Sequence, residues 1–173
     1  FCGGAGYYNI DTDAAGARGV SVCNTPGMNA VAVAEVTFAH ILNLDRRVGV
    51  QTQALAGGRW DKDEFGKAQG IKGRSLLIIG TGAIGTEVIK RAKAFDMHVA
   101  AQARSLREDT ARALGIEPVP YSREALLAAL PRFDVVSVHV ASTPHTRGLC
   151  DREFFNAMKP GTLFINTSRG DIV

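Results

Sequence analysis

Short, uninterrupted apolar runs alternate with amphipathic stretches from residue 73 to the end of the chain. Runs that are apolar on every side chain, separated by helical segments, are typical of a parallel sheet covered by helices on both faces. The predicted strands are Leu76–Ile79, Met97–Ala101, Val135–Val140 and Leu163–Asn166, and the predicted helices are Ile84–Phe95, Ser105–Leu114, Arg123–Leu130 and Arg152–Met158. The pattern predicts a doubly wound α/β domain, which binds ligands at the carboxyl ends of its strands.

The residues before this alternation have a different pattern. They are predicted to hold a short helix at Asp13–Ala17, a strand at Val20–Cys23 and a long helix at Asn29–Val50. Apolar residues surround most of the long helix, so we expect it to be buried on more than one side. The following segment, Gln51–Gly70, is polar and contains the only tryptophan. Because such an arm buries little by itself, Trp60 is predicted to pack against a neighbouring element or a second subunit.

Composition fits one folded domain and excludes several classes of protein. The chain has 173 residues, of which 46% are apolar and 21% charged, enough for one core but not for two full-sized ones. The net charge is +3, and the basic residues are spread along the chain, so no nucleic-acid partner is predicted. No apolar run reaches the roughly 18 residues of a membrane span, and we expect a soluble protein that binds no membrane.

The cysteines and the chain ends add two expectations. Cys2, Cys23 and Cys150 are odd in number and show no C-x-x-C spacing, so neither a disulfide framework nor a metal site is predicted. A reducing compartment, the cytoplasm, follows as the simplest expectation. The chain opens on Phe1 rather than methionine, and we expect either end to be a cut.

A glycine-rich turn follows the first strand of the alternating region. It reads Gly80-Thr81-Gly82-Ala83-Ile84-Gly85, a G-x-G-x-x-G pattern. With 19 glycines in the chain this spacing alone is weak, but a strand directly before it and a helix directly after it are what dinucleotide binding requires. Gly80 would permit the turn, Gly82 the approach of a pyrophosphate, and Gly85 close packing of helix on strand. The alternative is a structural turn that binds no nucleotide.

The residue that selects between NAD and NADP is expected about 20 positions further on. An acidic side chain there would bond the ribose 2′-hydroxyl of NAD. The sequence instead has Ala103, Arg104 and Ser105. A guanidinium clasps phosphate well, so NADP is favoured over NAD. The alternative is that Arg104 is a solvated residue at the start of a helix.

Four motifs occur in an order that identifies a family. They are Asn24-Thr25-Pro26-Gly27, Ala32-Val33-Ala34-Glu35, the glycine motif, and Asn166-Thr167-Ser168-Arg169-Gly170. With these motifs the chain closely resembles the D-isomer-specific 2-hydroxyacid dehydrogenases from about Gly4 to Val173. The resemblance implies hydride transfer between a nicotinamide cofactor and a small 2-oxo or D-2-hydroxy acid. Some proteins of this fold are instead nucleotide-sensing corepressors or interaction proteins, and an inactive cofactor-binding fragment is a third alternative.

The resemblance also implies a domain layout. Residues 1–24 look like the end of a flavodoxin-like substrate domain, and residues 25–173 like a Rossmann-type cofactor domain with its interdomain helix and a dimer-forming arm. A homodimer is implied for the full-length protein. The resemblance further implies that Arg169 is the catalytic arginine, with a surface salt bridge as the alternative. The resemblance implies that the family's catalytic glutamate and histidine lie in motifs that come after Val173.

Further cofactor contacts are expected at the same sheet edge. The candidates beyond those already named are His139, Val140, Thr143, Thr146, Thr167 and Ser168. His139 is expected to pack near the cofactor rather than transfer protons, and the two threonines of the 143–146 loop to bond ribose or phosphate oxygens. The chain departs from the family pattern at Tyr8, at Ala141-Ser142 and in the missing ribose acid.

Overall fold

A five-stranded parallel sheet is the centre of the computed structural model, which describes residues 2, 4–7 and 9–173. The strands are β1 (Ser75–Ile79), β2 (His98–Gln102), β3 (Glu117–Pro118), β4 (Val135–Val138) and β5 (Leu163–Asn166). They lie in the order β3-β2-β1-β4-β5, with every neighbouring pair parallel. The order reverses between β1 and β4, and in such sheets a ligand crevice opens at the carboxyl ends of the strands at that point. The predicted doubly wound α/β fold is confirmed.

Helices cover both faces of this sheet. They are α1 (Thr12–Ala17), α2 (Ala30–Arg46), α3 (Val48–Ala56), α4 (Lys62–Phe65), α5 (Ala83–Ala94), α6 (Glu108–Leu114), α7 (Arg123–Ala129) and α8 (Arg152–Ala157), with short 3₁₀ turns at Leu130–Arg132 and Gly170–Ile172. Asp11 caps α1 and Asp151 caps α8, each by accepting a hydrogen bond from a first-turn backbone N–H. Short side-chain acceptors of this kind satisfy the free N–H groups at a helix start.

Two apolar clusters, one on each face, hold the sheet. Alternate residues of β1 divide between them: Leu76 and Ile78 pack with α2 and α5, while Leu77 and Ile79 pack on the face of α7 and α8. All four are at most 3% exposed. A strand buried on both sides has no polar face, which is why its sequence reads as a continuous apolar run.

Several predicted elements differ from the structure in the first seventy residues. Val20–Cys23 is not a strand, although its residues favour one. The long helix stops at Arg46 because Arg47 adopts left-handed backbone angles (φ 52°), and a separate helix, α3, begins at Val48. The expected burial of α2 on several sides is wrong within this chain, because Val31 and Val36 are about half exposed. Trp60 is 77% exposed, so no neighbouring element of the described chain covers it.

Smaller differences occur in the sheet domain. The predicted helix from Ser105 begins only at Glu108, and the predicted strand to Val140 ends at Val138. The edge strand Glu117–Pro118 was not predicted, since both of its residues are exposed and neither is apolar enough to signal a strand. The four-residue helix α4 was also missed.

Charged side chains tie the amino end of the sheet together, opposite the ligand crevice. Asp134 accepts hydrogen bonds from the backbone N–H and the hydroxyl of Ser75, both at 2.8 Å, and pairs with Lys159 at 2.7 Å. Burial alone would raise the pKa of Asp134, but the bonds from Lys159 and Ser75 outweigh it and lower that pKa to about 2. Asp45 at the end of α2, with its side chain 3% exposed, pairs with Arg74 at 3.2 Å. The strands are therefore fixed at the end away from the candidate site.

Candidate dinucleotide site

Gly80 joins three strands at the carboxyl edge. Its φ is +100°, and a Cβ there would lie 2.6 Å from the carbonyl oxygen of His139 and 3.0 Å from Val140. Its N–H donates to the carbonyl of Gln102 at 2.9 Å. No residue with a side chain fits this position without moving the backbone after β4.

The other two glycines of the motif have opposite surroundings. A Cβ on Gly85 would collide with the carbonyl oxygen of Gly80, whereas one on Gly82 would meet nothing within 4 Å. Gly82 is the N-cap of α5, and no side chain of the described residues caps that helix. The first-turn residues Ala83 and Ile84 therefore leave helix N–H groups that favour an anion. The open space at Gly82 leaves room for a dinucleotide pyrophosphate, and the tight packing at Gly85 brings α5 close to β1, as this motif requires.

The loop after β2 presents a basic side chain. The N–H of Leu106 donates to the carbonyl of Ala103 at 3.1 Å, so Arg104 and Ser105 occupy the centre of a turn. Arg104 is exposed, and within residues 2, 4–7 and 9–173 its guanidinium makes no ion pair or hydrogen bond. Because α6 begins at Glu108, Arg104 is not a residue of the helix start.

His139 and Val140 follow β4 and face the glycine turn. The Nε2 atom of His139 lies 2.9 Å from the hydroxyl of Ser137, which is fully buried. Burial lowers the pKa of His139 to about 4, so its imidazole is neutral at physiological pH. An imidazole that lacks its second proton under these conditions suits packing rather than acid catalysis.

The loop at residues 141–149 is braced by its own hydroxyl groups. The Thr146 hydroxyl donates to the carbonyl of Ala141 at 2.6 Å and accepts the Thr143 N–H at 2.8 Å, with the Thr143 hydroxyl at 3.0 Å. Since each hydroxyl has one proton, both protons point into the loop, and a phosphate oxygen would have to compete for them. Contact of Thr143 and Thr146 with a ligand stays a prediction. Ser142 donates to Asp171 at 2.6 Å, which ties the loop to the segment after Arg169.

A side-chain amide shapes the turn after β5. The Oδ1 atom of Asn166 accepts the N–H of Ser168 at 2.9 Å and its hydroxyl at 2.6 Å. Its Nδ2 atom donates to the carbonyl of Arg169 at 2.8 Å. Arg169 is exposed, and its Nη1 atom donates to the carbonyl of Ser168 at 2.7 Å. A guanidinium presented this way can hold a carboxylate and stabilise negative charge on a nearby oxygen.

Sequence reasoning missed two residues that support this turn. Asp171 accepts from Ser142, and Thr37 of α2 lies 3.1 Å from Thr167, hydroxyl to hydroxyl. Thr37 could have been noticed because it falls in the apolar stripe of α2 with Ala34 and Ile41, where a polar residue needs a partner. Asp171 had no comparable signal.

The described residues offer neither a cluster of metal ligands nor a membrane-spanning helix. No group of three or more His, Cys, Asp or Glu in this part of the chain has metal-site geometry. None of the helices described is long and apolar enough to cross a membrane. The departure at Tyr8 lies outside the described residues.

The predicted residues thus meet at one edge of the sheet. The glycine turn, His139 and the Asn166–Arg169 turn follow the adjacent strands β1, β4 and β5, and Arg104 follows β2 on the other side. A parallel sheet of this order, with a glycine turn leading into an uncapped helix at its switch point, defines a dinucleotide-binding α/β domain.

Comparison with known proteins identifies the family. The chain belongs to the D-isomer specific 2-hydroxyacid dehydrogenases, whose NAD binding domain matches residues 38–173. The resemblance predicted from the four motifs is confirmed, and so is nucleotide binding of the NAD class as a family property.

Individual relatives and solved structures of this family are similar to the chain over nearly its whole length. The chain is 35% identical to D-3-phosphoglycerate dehydrogenase of Methanocaldococcus jannaschii over 170 residues, covering 98% of the chain and 32% of the relative. It is 35% identical to glyoxylate reductase of Thermococcus litoralis over 174 residues, covering 97% and 51%. The solved D-lactate dehydrogenase of Aquifex aeolicus, in complex with NAD and lactic acid, superposes with a TM-score of 0.83 at 32% identity, covering 98% of the chain and 49% of that structure. The chain thus spans from about a third to about a half of the length of these relatives.

Proposed function

We propose that the protein containing this chain transfers a hydride between a nicotinamide dinucleotide and a small D-2-hydroxy acid or its 2-oxo acid. The observation that carries this proposal is the position of Arg169, held by the Asn166 turn at the same sheet edge as the glycine turn. When bound, the nicotinamide supplies or accepts the hydride. The chain supplies the site that orients it.

Each residue of the edge has a role in this proposal. Gly82 and the first turn of α5 bind the pyrophosphate, as the open space there allows. Arg169 binds the substrate carboxylate and polarises the 2-oxo oxygen. His139 packs beside the nicotinamide and stays neutral. We assign proton transfer to residues outside residues 1–173, as the family resemblance implies.

The test of this function is a substitution at Arg169. Lysine keeps the charge but loses the planar fork that grips a carboxylate, so Arg169→Lys is expected to lower kcat/KM for glyoxylate or hydroxypyruvate about a hundredfold, the loss of roughly 3 kcal/mol. Nucleotide affinity stays within twofold. Arg147→Lys is the matched control, since Arg147 lies at the same edge and pairs with Asp171 at 3.2 Å. Full activity of Arg169→Lys contradicts the assigned role, and nucleotide binding by the wild type without reduction of any 2-oxo acid favours a nucleotide sensor.

We also propose that the cofactor is NADP in preference to NAD. The turn at the end of β2 offers the Arg104 guanidinium, without an ion-pair partner among the described residues, and the Ser105 hydroxyl where NAD-specific domains place a carboxylate. NADPH is expected to bind more tightly than NADH, and Arg104→Ala to weaken NADPH about tenfold while leaving NADH unchanged. Arg112→Ala removes the same charge from the exposed face of α6 and serves as the control. An unchanged NADPH-to-NADH ratio in Arg104→Ala would refute this preference.

Residues 1–24 and 25–173 are proposed to belong to a substrate domain and a cofactor domain. Helix α1 buries none of its residues, which fits an element that packs elsewhere. The backbone N–H of Cys2 donates to the carbonyl of Cys23, and the Asn24 side chain donates to the carbonyl of Ala5, both within residues 1–24. The bond from the N–H of Thr25 to the carbonyl of Gly4 crosses the proposed boundary. The three cysteines are unpaired thiols, in keeping with the cytoplasm as the proposed location.

A homodimer is proposed through the arm formed by α3 and α4. Its exposed apolar side chains, Trp60 at 77%, Leu55 at 58% and Val48 at 49%, line a groove of about 400 Å³. A second copy would cover the apolar surface that α3 and α4 leave open. Light scattering after size exclusion is expected to report a dimer for the wild type and a monomer for Leu55→Asp. A monomeric wild type would exclude the dimer.

A further inference from the structure

One buried hydroxyl on α2 reaches the turn that carries Arg169. Thr37 is 0% exposed and lies in the stripe of α2 that faces the sheet, between Ala34 and Phe38. A hydroxyl withdrawn from water is costly unless it is hydrogen bonded. Thr37 therefore depends on its partners, and those partners are on two different elements.

The direction of the two bonds follows from the number of protons. The Thr37 hydroxyl donates to the carbonyl of Val33 at 2.9 Å, a bond common for threonine within a helix. Because that uses its one proton, the contact of 3.1 Å with the hydroxyl of Thr167 has Thr167 as donor. The second bond spans 130 positions of sequence and is not explained by helix geometry.

Thr167 is the residue through which α2 and β5 meet at the site. On its strand side, Asn166 binds Ser168 and the carbonyl of Arg169. On its helix side, Thr37 holds the Thr167 hydroxyl. The guanidinium of Arg169 donates to the carbonyl of Ser168 in this turn, so its position follows the backbone of the turn, which these two contacts fix from opposite sides.

The start of α2 also lies beside the nucleotide site. Gly27, three residues before α2, has a φ of +79°, and a Cβ there would lie 3.8 Å from Ala83 in the first turn of α5. The segment that leads into α2 thus lies close to the first turn of α5, and α2 reaches the Arg169 turn further along through Thr37.

We propose that Thr37 is a positioning residue that sets the Arg169 turn relative to α2. Its kinetic effect rests on the proposed function, whereas its effect on the turn does not. Removing the hydroxyl leaves the packing of α2 in place and frees Thr167, so Arg169 would sample more directions and align with the substrate less often.

The test compares three variants in the protein that contains this chain. Thr37→Val removes both bonds at almost constant volume, and Thr37→Ser keeps the hydroxyl. Thr162→Val is the matched control: its hydroxyl bonds Phe133 and Lys159 carbonyls at the opposite end of β5. Turnover of glyoxylate or hydroxypyruvate, NADPH affinity, and hydrogen–deuterium exchange of a peptide covering residues 166–170 are measured for each.

Thr37→Val is expected to lower kcat five- to tenfold, the effect of one hydrogen bond, with NADPH affinity within twofold. The Thr37→Ser variant restores kcat, Thr162→Val leaves it unchanged, and exchange at residues 166–170 rises only in Thr37→Val. Equal kcat and equal exchange in Thr37→Val and Thr162→Val would overturn the inference. If the wild type reduces no 2-oxo acid, the proposed function fails, and the exchange rates alone decide the role of Thr37.

Discussion

Gly82 and Gly85, the second and third glycines of the motif, should respond to alanine substitution in opposite ways: the first by losing nucleotide affinity, the second by losing stability. A methyl group on Gly82 enters open space, and the φ of −67° there suits alanine. Alanine is a poorer N-cap than glycine, but it restricts the unfolded chain, so Gly82→Ala is expected to change the free energy of unfolding by less than about 0.5 kcal/mol. It nevertheless fills the space through which a pyrophosphate approaches, and NADPH affinity is expected to fall at least tenfold.

Gly85→Ala has the reverse consequence. The new methyl group would overlap the carbonyl oxygen of Gly80, and relief requires α5 to move away from β1. Overpacking of this kind costs about 1–3 kcal/mol, or more against rigid backbone, while alanine returns about 1 kcal/mol as a better helix former. A net loss near 2 kcal/mol would lower the urea midpoint by about 1 M.

Urea titration followed by far-UV circular dichroism measures both variants, because Trp60 lies in the exposed arm and reports poorly on the sheet domain. NADPH binding is measured on the same samples below the unfolding transition. The reasoning is refuted if Gly82→Ala binds NADPH like the wild type, or if Gly85→Ala keeps the wild-type urea midpoint.

Three further predictions concern titration and reactivity. Burial lowers the pKa of His139 from 6.5 to about 4, so the unfolded state takes up a proton before the folded state does. The free energy of unfolding should therefore fall by about 3 kcal/mol as the pH drops from 6.5 to 4. In urea titrations at pH 4–7, His139→Asn should show a smaller fall than the wild type. Asp134→Asn weakens the bonds to Ser75 and Lys159 and is expected to cost about 1–2 kcal/mol at pH 7. The difference should shrink as the pH falls from 3.8, where the carboxylate of the unfolded wild type takes up a proton, to about 2, where that of the folded wild type does. Burial raises the pKa of Cys150 to about 12. A disulfide reagent at pH 8 should therefore label the exposed Cys23 at once and Cys150 only after unfolding. Rapid labelling of Cys150 in the folded protein would contradict its burial.

The sheet domain was largely predictable because a strand buried on both faces has a continuous run of apolar residues in its own sequence. Leu76–Ile79 reads as a strand without reference to the rest of the chain, and the glycine spacing after it specifies the turn. Glu117–Pro118 has no such apolar run, since an edge strand of two exposed residues is defined only by its pairing with Ala100 and Ala101.

The errors have the same origin. Val20–Cys23 has strand-forming residues but pairs with no strand of the described chain, because strand propensity is decided by neighbours. Helix α2 ends at its C-cap, Arg47, where the sequence has no glycine or proline to predict a helix end. The contact between Thr37 and Thr167 depends on how α2 packs against β5, which no local window of sequence contains. The residue types of the site were therefore predictable, and the bonds that orient them were not.

The charges at the amino end of the sheet have a consequence for engineering. Asp134, Lys159 and Arg74 anchor the strands at the edge opposite the crevice, so the loops that select a ligand add little to holding the sheet together. Exchange of residues 103–107 for the corresponding loop of an NAD-specific relative is then a local graft. Such a chimera should retain the wild-type melting temperature while changing which nucleotide it accepts.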